Sequence, residues 1–303
     1  MPVVDPASSE EVDRAIEVLR QVPFEEIQRR GWHFQPNNFY WPLNDLPFLR
    51  ANPDLWLPVR IPADIEWDLD AQEELLRRLA GYAGELADVP EEAPWGAGRF
   101  AWRNPVLQRG DAVAYYGLVR ELRPRRVVEV GAGWSTLLLV RALRENQDRA
   151  DVTLIEPEPS DWLLRAVPSE WRFDRTILQR AEMNVFEGLQ AGDILFYDGS
   201  HCARAGSDVN WFFFEILPRL SEGVWVHVHD IRWPHERMWE IVDEGLSWNE
   251  QYLLQAFLMG NHQYRVRLAM NMLWVLRHDQ VARFAPGPNF SGGSVWFEKV
   301  LDR

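Results

Sequence analysis

The spacing of apolar and polar positions changes character near residue 110. Before it, two stretches read as helix. Ser8 and Glu11 stand in capping-box spacing at the start of a helix expected over residues 9–21. Residues 70–86, DAQEELLRRLAGYAGEL, place Leu75, Leu79, Tyr82 and Leu86 at helical steps, as an amphipathic helix requires. Between them, GWHFQPNNFYWPLNDLPFL is dense in aromatics, Pro and Asn, and reads as an ordered loop packed on something else.

After residue 110 short apolar runs alternate with helical patterns. A helix over 111–122 leads to a strand at 125–130. Helix 134–145, strand 152–156, helix 160–167, a weak strand at 174–178, helix 183–190 and strand 193–198 follow. Next come helix 207–220, strand 223–229 and two more helices, the second opened by Ser247 and Glu250 in capping-box spacing. The segments YRVRLAMN and GGSVWFEKV supply two final strands, close enough in sequence for an antiparallel edge pair. Apolar strands separated by helices predict an α/β fold with a mostly parallel sheet covered on both faces. The division implies a helical, aromatic-rich cap over 1–110 and a catalytic or binding unit over 111–303.

Composition narrows the function. A formal charge of −14 argues against nucleic acid or an anionic membrane as the main partner. No apolar run approaches the roughly 18 residues of a membrane span, and the first residues lack a basic stretch followed by an apolar one. Cys202 is the single cysteine, which removes internal disulfides and multi-cysteine zinc sites. Its place after His201 allows a nucleophile, although a small buried residue is the commoner role. The expectation is a cytoplasmic protein.

In an open α/β sheet, ligands bind beyond the carboxyl ends of the strands, so the residues there carry the chemistry. After the first strand, VVEVGAGWST offers Gly131 and Gly133 for a tight turn at a helix N-terminus. A dinucleotide fingerprint would want glycine at 136 and finds Thr136, which speaks against a nicotinamide-dependent oxidoreductase. Glu129, inside the strand end, suits a ligand carrying an ammonium group. Glu156, after the second strand and 25 residues beyond Gly131, stands where a carboxylate can reach ribose hydroxyls. After the fourth strand DGSH brings Asp198 and His201. After the fifth, VHVHDI puts His227 and His229 on one face by alternation and ends in Asp230. His227 reads as a core residue. Asp198, His201, His229 and Asp230 form a candidate catalytic group, because imidazoles titrate near neutral pH and neighbouring carboxylates orient them.

These motifs carry a resemblance. VVEVGAGWST, LIEPEP, DILFYDGSH and GVWVHVHDI resemble the successive motifs of class I S-adenosylmethionine-dependent methyltransferases, nearest to the branch called methyltransferase domain 24. The resemblance covers roughly residues 105–300 and implies a Rossmann-like seven-stranded sheet with S-adenosyl-L-methionine as co-substrate. On it, Glu129 holds the methionyl ammonium, Gly131, Ala132 and Gly133 pass under the methionine, Glu156 grips the ribose, and Ser135 and Asp198 complete the cofactor set. The loop LQRAEMN should meet the adenine. Some relatives hold a divalent metal with an aspartate after strand four and acidic residues after strand five. Here Asp198 and Asp230 match, but His229 replaces a carboxylate, which disfavours magnesium and leaves no metal ligand assigned.

The implied reaction is methylation of a small molecule, most readily at oxygen, with His201 or His229 as base and Asp198 and Asp230 orienting. N- or S-methylation, another sulfonium group transfer, or ligand binding without turnover remain alternatives. Trp32, Phe34, Phe39, Tyr40 and Trp41 form either a lid over the acceptor or packing for the cap, and Asp111 and Tyr115 could also face the cofactor. A small-molecule acceptor is the expected partner, with neither nucleic acid nor membrane, and the chain could self-associate.

Overall fold

The computed structural model describes residues 8–38, 40, 43–94, 96–147, 149–237 and 239–300. Seven strands make one sheet: β1 Arg126–Val130, β2 Asp151–Ile155, β3 Arg172–Asp174, β4 Ile194–Tyr197, β5 Trp225–Val228, β6 Tyr264–Ala269 and β7 Val295–Lys299. Their order is β3-β2-β1-β4-β5-β7-β6. The first five pair in parallel, and β7 runs antiparallel to both β5 and β6. The mostly parallel sheet of the sequence reading is therefore present. The closing pair is antiparallel as expected, but β7 enters the sheet interior and leaves β6 at the edge. Trp296 and Phe297 are buried there, one on each face, so β7 needs cover on both sides.

The order reverses between β1 and β4, which opens the crevice where such sheets take ligands. Helix Arg109–Leu122 is buried from Gly110 to Val119 and packs against helix Trp134–Asn146. Helix Leu69–Ala80 crosses it at Gly117, where a side-chain Cβ would lie 2.7 Å from that of Leu79. Leu75, Leu76, Leu79 and Leu86 thus join the core of the sheet. The change of pattern near residue 110 is not an edge of packing.

Two expected helices differ. The 207–220 stretch starts as helix Asp208–Trp211, capped by Ser207, then widens into a π turn at Phe212–Ile216 and a 3-10 turn at Leu217–Arg219. Pro218 lacks the N–H that would continue the ladder. In the 231–262 region the first element is only a π turn, Trp239–Asp243, and the second is helix Glu250–Leu258. Ser247 does not cap that helix, because its hydroxyl accepts from the backbone N and side chain of Asn44.

The leader is tied down in part. Beyond the Asn44 contact, Arg50 donates to the Val242 carbonyl and the Arg60 N–H to that of Pro234. Trp32 and Tyr40 project into solvent and Phe34 is half-buried, whereas Phe39 and Trp41 lie outside the described residues. Helix Ser9–Arg20 forms with its capping box. Among the described residues no helix is long and apolar enough to cross a membrane.

Candidate active site

Register brings the site together. Val130 stands level with Tyr197, and Tyr197 with Val228, so Gly131, Asp198 and His229 leave the sheet side by side. Gly131 turns with φ +83°, and a Cβ there would sit 2.0 Å from the Asp198 carbonyl oxygen. Only glycine fits both the conformation and the gap. At Gly133 a Cβ would meet nothing within 4 Å, so that side of the turn is open. Beside it lies a cleft of about 310 Å³ whose walls include Gly131, Glu156, Ile177, Gln179, Asp198 and Ser200. Larger hollows lie at the β6 edge and below the sheet, remote from these strand ends.

Glu129 lies inside the end of β1, as the sequence places it. It is fully buried, with one oxygen accepting from the Ser135 and Thr136 hydroxyls at 2.7 Å each and the other from Tyr115 at 3.1 Å. Burial pushes its carboxyl up to about 7, against the pull of those three hydroxyls. Thr136 also accepts from the Gly133 N–H at 2.9 Å. Glu129, Ser135, Thr136 and Tyr115 therefore brace the glycine turn from behind, and Ser135 spends its hydroxyl on that brace. Ala132 and Gly133 are half-buried on the turn. Glu156 is half-buried at the cleft, accepts from the Glu158 N–H at 2.9 Å, and is raised by burial.

Across the cleft floor the expected catalytic residues converge. His201 adopts φ +59° and is nearly buried rather than open in its loop. Its carbonyl accepts from the N–H groups of Asn249 and Glu250, and its Nδ1 lies 2.8 Å from the Glu250 carboxylate. One residue thus holds the start of helix Glu250–Leu258 by main chain and side chain together. Its Nε2 faces Asp198 at 3.4 Å and Asp230 at 3.7 Å. Burial works against the charged imidazole, but the Glu250 bond and the surrounding carboxylates outweigh it and raise the pKa.

His229 is buried among Asp111 (3.4 Å), Asp198 (3.6 Å) and Asp230 (3.9 Å). Against the cost of burial, these carboxylates lift its pKa to about 10, so it is an imidazolium at neutral pH. Asp111 accepts from the N–H groups of Gly293 and Ser294 at 2.8 Å each and reaches His229. Asp198 is raised by burial despite its two imidazoles. Asp230, at φ +59°, is lowered in spite of burial by His229, Arg237, His201 and Arg232. His227 is a core residue as expected, stacked on Phe196 at 3.8 Å and bonded to Ser294 at 3.0 Å. Burial raises the Cys202 thiol, which disfavours a thiolate.

The His229 shift has a measurable consequence. Its folded pKa stands above the unfolded value, so its contribution to stability is full below about pH 6.5 and is lost as pH rises towards 10. Glu129, also raised, makes stability fall over a separate window from about 4.5 to 7. Thermal stability should therefore fall steadily from about pH 6.5 to 10, with a shallower slope in His229→Asn. An identical slope in that variant would trace the effect to other groups.

Glu250, Trp248, Arg232 and Arg237 escaped the sequence reading. Arg237 is buried, stacks on Trp248 at 4.5 Å, and Trp248 in turn contacts the His201 ring at 4.3 Å. Arg232 and Arg237 approach Asp230 at 3.4 and 3.8 Å. Nothing in local spacing marks these residues, and Glu250 had a ready explanation as part of a cap. Among the described residues, no group of three or more His, Cys, Asp or Glu is arranged to hold a metal ion. The His229 ring stands between the carboxylates as their ion-pair partner.

Residues 128–231, which span these strand ends, match the family model described as a methyltransferase domain. An uncharacterized protein of Archaeoglobus fulgidus is 30% identical over 148 residues, covering 47% of this chain and 67% of that relative. The chain belongs to the class I S-adenosylmethionine-dependent methyltransferases. Solved structures with loose overall similarity include the SAH-bound Podospora anserina methyltransferase PaMTH1, 15% identical over 88% of this chain and 99% of that one, TM-score 0.40. CmcI-N160 in its apo form is 16% identical over 88% and 98%, TM-score 0.40. The plantazolicin methyltransferase BpumL with SAH is 13% identical over 77% and 100%, TM-score 0.34. As a methyltransferase this chain takes S-adenosylmethionine as its co-substrate.

Proposed function

We propose that this methyltransferase methylates a hydroxyl of a small molecule, with His201 removing the proton. The observation that carries the reading is the His201–Glu250 contact of 2.8 Å. A neutral amine needs no base to attack a methyl group, whereas a hydroxyl does. Glu250 accepts from Nδ1–H, fixes the tautomer and leaves Nε2 to take the acceptor's proton as the oxygen attacks. It then steadies the imidazolium that results. His229 stays protonated and holds the negative charges of Asp198 and Asp230 in register. Arg237 and Trp248 fix the His201 ring.

Gly131, Ala132, Gly133 and Glu156 would hold the cofactor, with Glu129 and Ser135 shaping the turn from behind. The open side of Gly133 and the half-buried carboxylate at the cleft fit a ligand with ribose hydroxyls. When bound, the sulfonium supplies an electrophilic methyl carbon. The acceptor would enter beside Asp198 and Asp230, from the side where a hollow of about 390 Å³ is bordered by Trp56, Leu57, Arg232, Glu240 and Asn271. The cap role read for 1–110 then narrows to its leader, since residues 69–86 serve the core.

Glu156→Ala should weaken S-adenosylmethionine binding by roughly 1–3 kcal/mol through lost ribose hydrogen bonds. Calorimetry showing unchanged affinity would remove Glu156 from the cofactor site. The function itself is tested by incubating the protein with labelled S-adenosylmethionine and a metabolite extract. The label should appear as an O-methyl group, in EDTA-dialysed protein as in untreated. A methylated nitrogen or sulfur would refute the oxygen reading, and activity lost to EDTA and regained with metal would refute the metal-free base.

A further inference from the structure

The exposed large apolar side chains are concentrated before residue 62, and the sharpest case is helix Ser9–Arg20. None of its 12 residues is buried. Val12, Ile16 and Leu19 recur at steps of four and three, so they lie on one face, and all three are exposed. A helix of this length is marginal in water by itself, and in proteins such helices are stabilised by packing an apolar face. We propose that this face pairs antiparallel with the same helix of a second copy of the chain, making the protein a two-fold dimer.

Charge placement selects that occupant. At 100° per residue, Asp13 and Arg20 fall on the same flank of the Val12–Ile16–Leu19 stripe. A two-fold axis near Ile16 brings the same flanks of the two helices together. Val12 then covers Leu19 of the other copy, the Ile16 residues meet at the centre, and Asp13 faces Arg20 of the other copy, twice. Parallel pairing would bring opposite flanks together and set Asp13 and Arg20 against the flank of Glu11 and Ala15 in the other copy, where no such exchange forms. Arg20 is available for exchange: its contact with Glu17 at 3.4 Å is exposed on both sides and worth little. The helix's other face carries Glu10, Arg14 and Glu17 without the basic excess of a membrane-surface helix, and the chain's charge of −14 opposes anionic lipid.

The test is light scattering on the full chain across micromolar concentrations, with cofactor binding as the check on folding. Wild type should be a dimer. Ile16→Asp should be monomeric and still bind S-adenosylmethionine. Asp13→Arg should weaken the dimer about tenfold or more by opposing like charges, and Asp13→Arg combined with Arg20→Asp should restore it. A monomeric wild type, a dimer indifferent to Ile16→Asp, or a double exchange that fails to restore association overturns the proposal. Wild type that stays monomeric and binds neutral or anionic vesicles would give this face to a membrane instead.

Discussion

His201→Gln should lower methyl transfer by roughly 10²–10⁴-fold, the usual contribution of a general base, while S-adenosylmethionine binding stays nearly unchanged. Glutamine can still donate to Glu250, so helix Glu250–Leu258 keeps its anchor, and cofactor affinity and melting temperature report whether it has. Glu250→Gln supplies a readout that a structural role would not move. The base must be neutral to accept a proton, so activity rises with pH through its pKa. The contact with Glu250 raises that pKa, which sets the acidic limb above about pH 6.5. Removing the carboxylate's charge should shift the limb to lower pH. Turnover within a few-fold of wild type in His201→Gln would take this residue out of proton transfer.

Gly131→Ala should be the most damaging small substitution in the cofactor turn. An alanine must accept φ +83°, and its Cβ would lie 2.0 Å from a main-chain oxygen of Asp198. That oxygen cannot move alone, because the Asp198 N–H donates to the Val130 carbonyl and the Tyr197 carbonyl accepts from His229. The strained backbone and the overpacking should together cost about 2–5 kcal/mol, seen as a fall in melting temperature of several degrees, with cofactor binding lost. Gly133→Ala is the control. Its φ is extended and its Cβ would meet nothing, so stability should hold, and a loss of cofactor affinity alone would report a ligand at that face. A Gly131→Ala protein as stable as wild type would refute the geometry of the turn.

What the sequence determined by itself was what depends on neighbours along the chain. Strands covered on both faces are continuous apolar runs, so β1, β2, β4 and β5 were legible, and so was the position of the groups that follow them: Gly131, Glu156, Asp198, His229 and Asp230. Alternation placed His227 with His229, and the two rings lie 5.6 Å apart. The capping box of Ser8 and Glu11 is a three-residue pattern and forms as written. Tertiary structure decided the rest, because each remaining contact joins distant positions that no local period relates. Asp111 reaches His229 across the core only because the Gly293 and Ser294 N–H groups fix its carboxylate. Glu250 pairs with His201 from 49 residues away, and the Ser247 hydroxyl of the expected cap accepts from Asn44. Glu129 has the residue type to hold an ammonium, and the three hydroxyls from two helices that bond its carboxylate come from positions no local period relates.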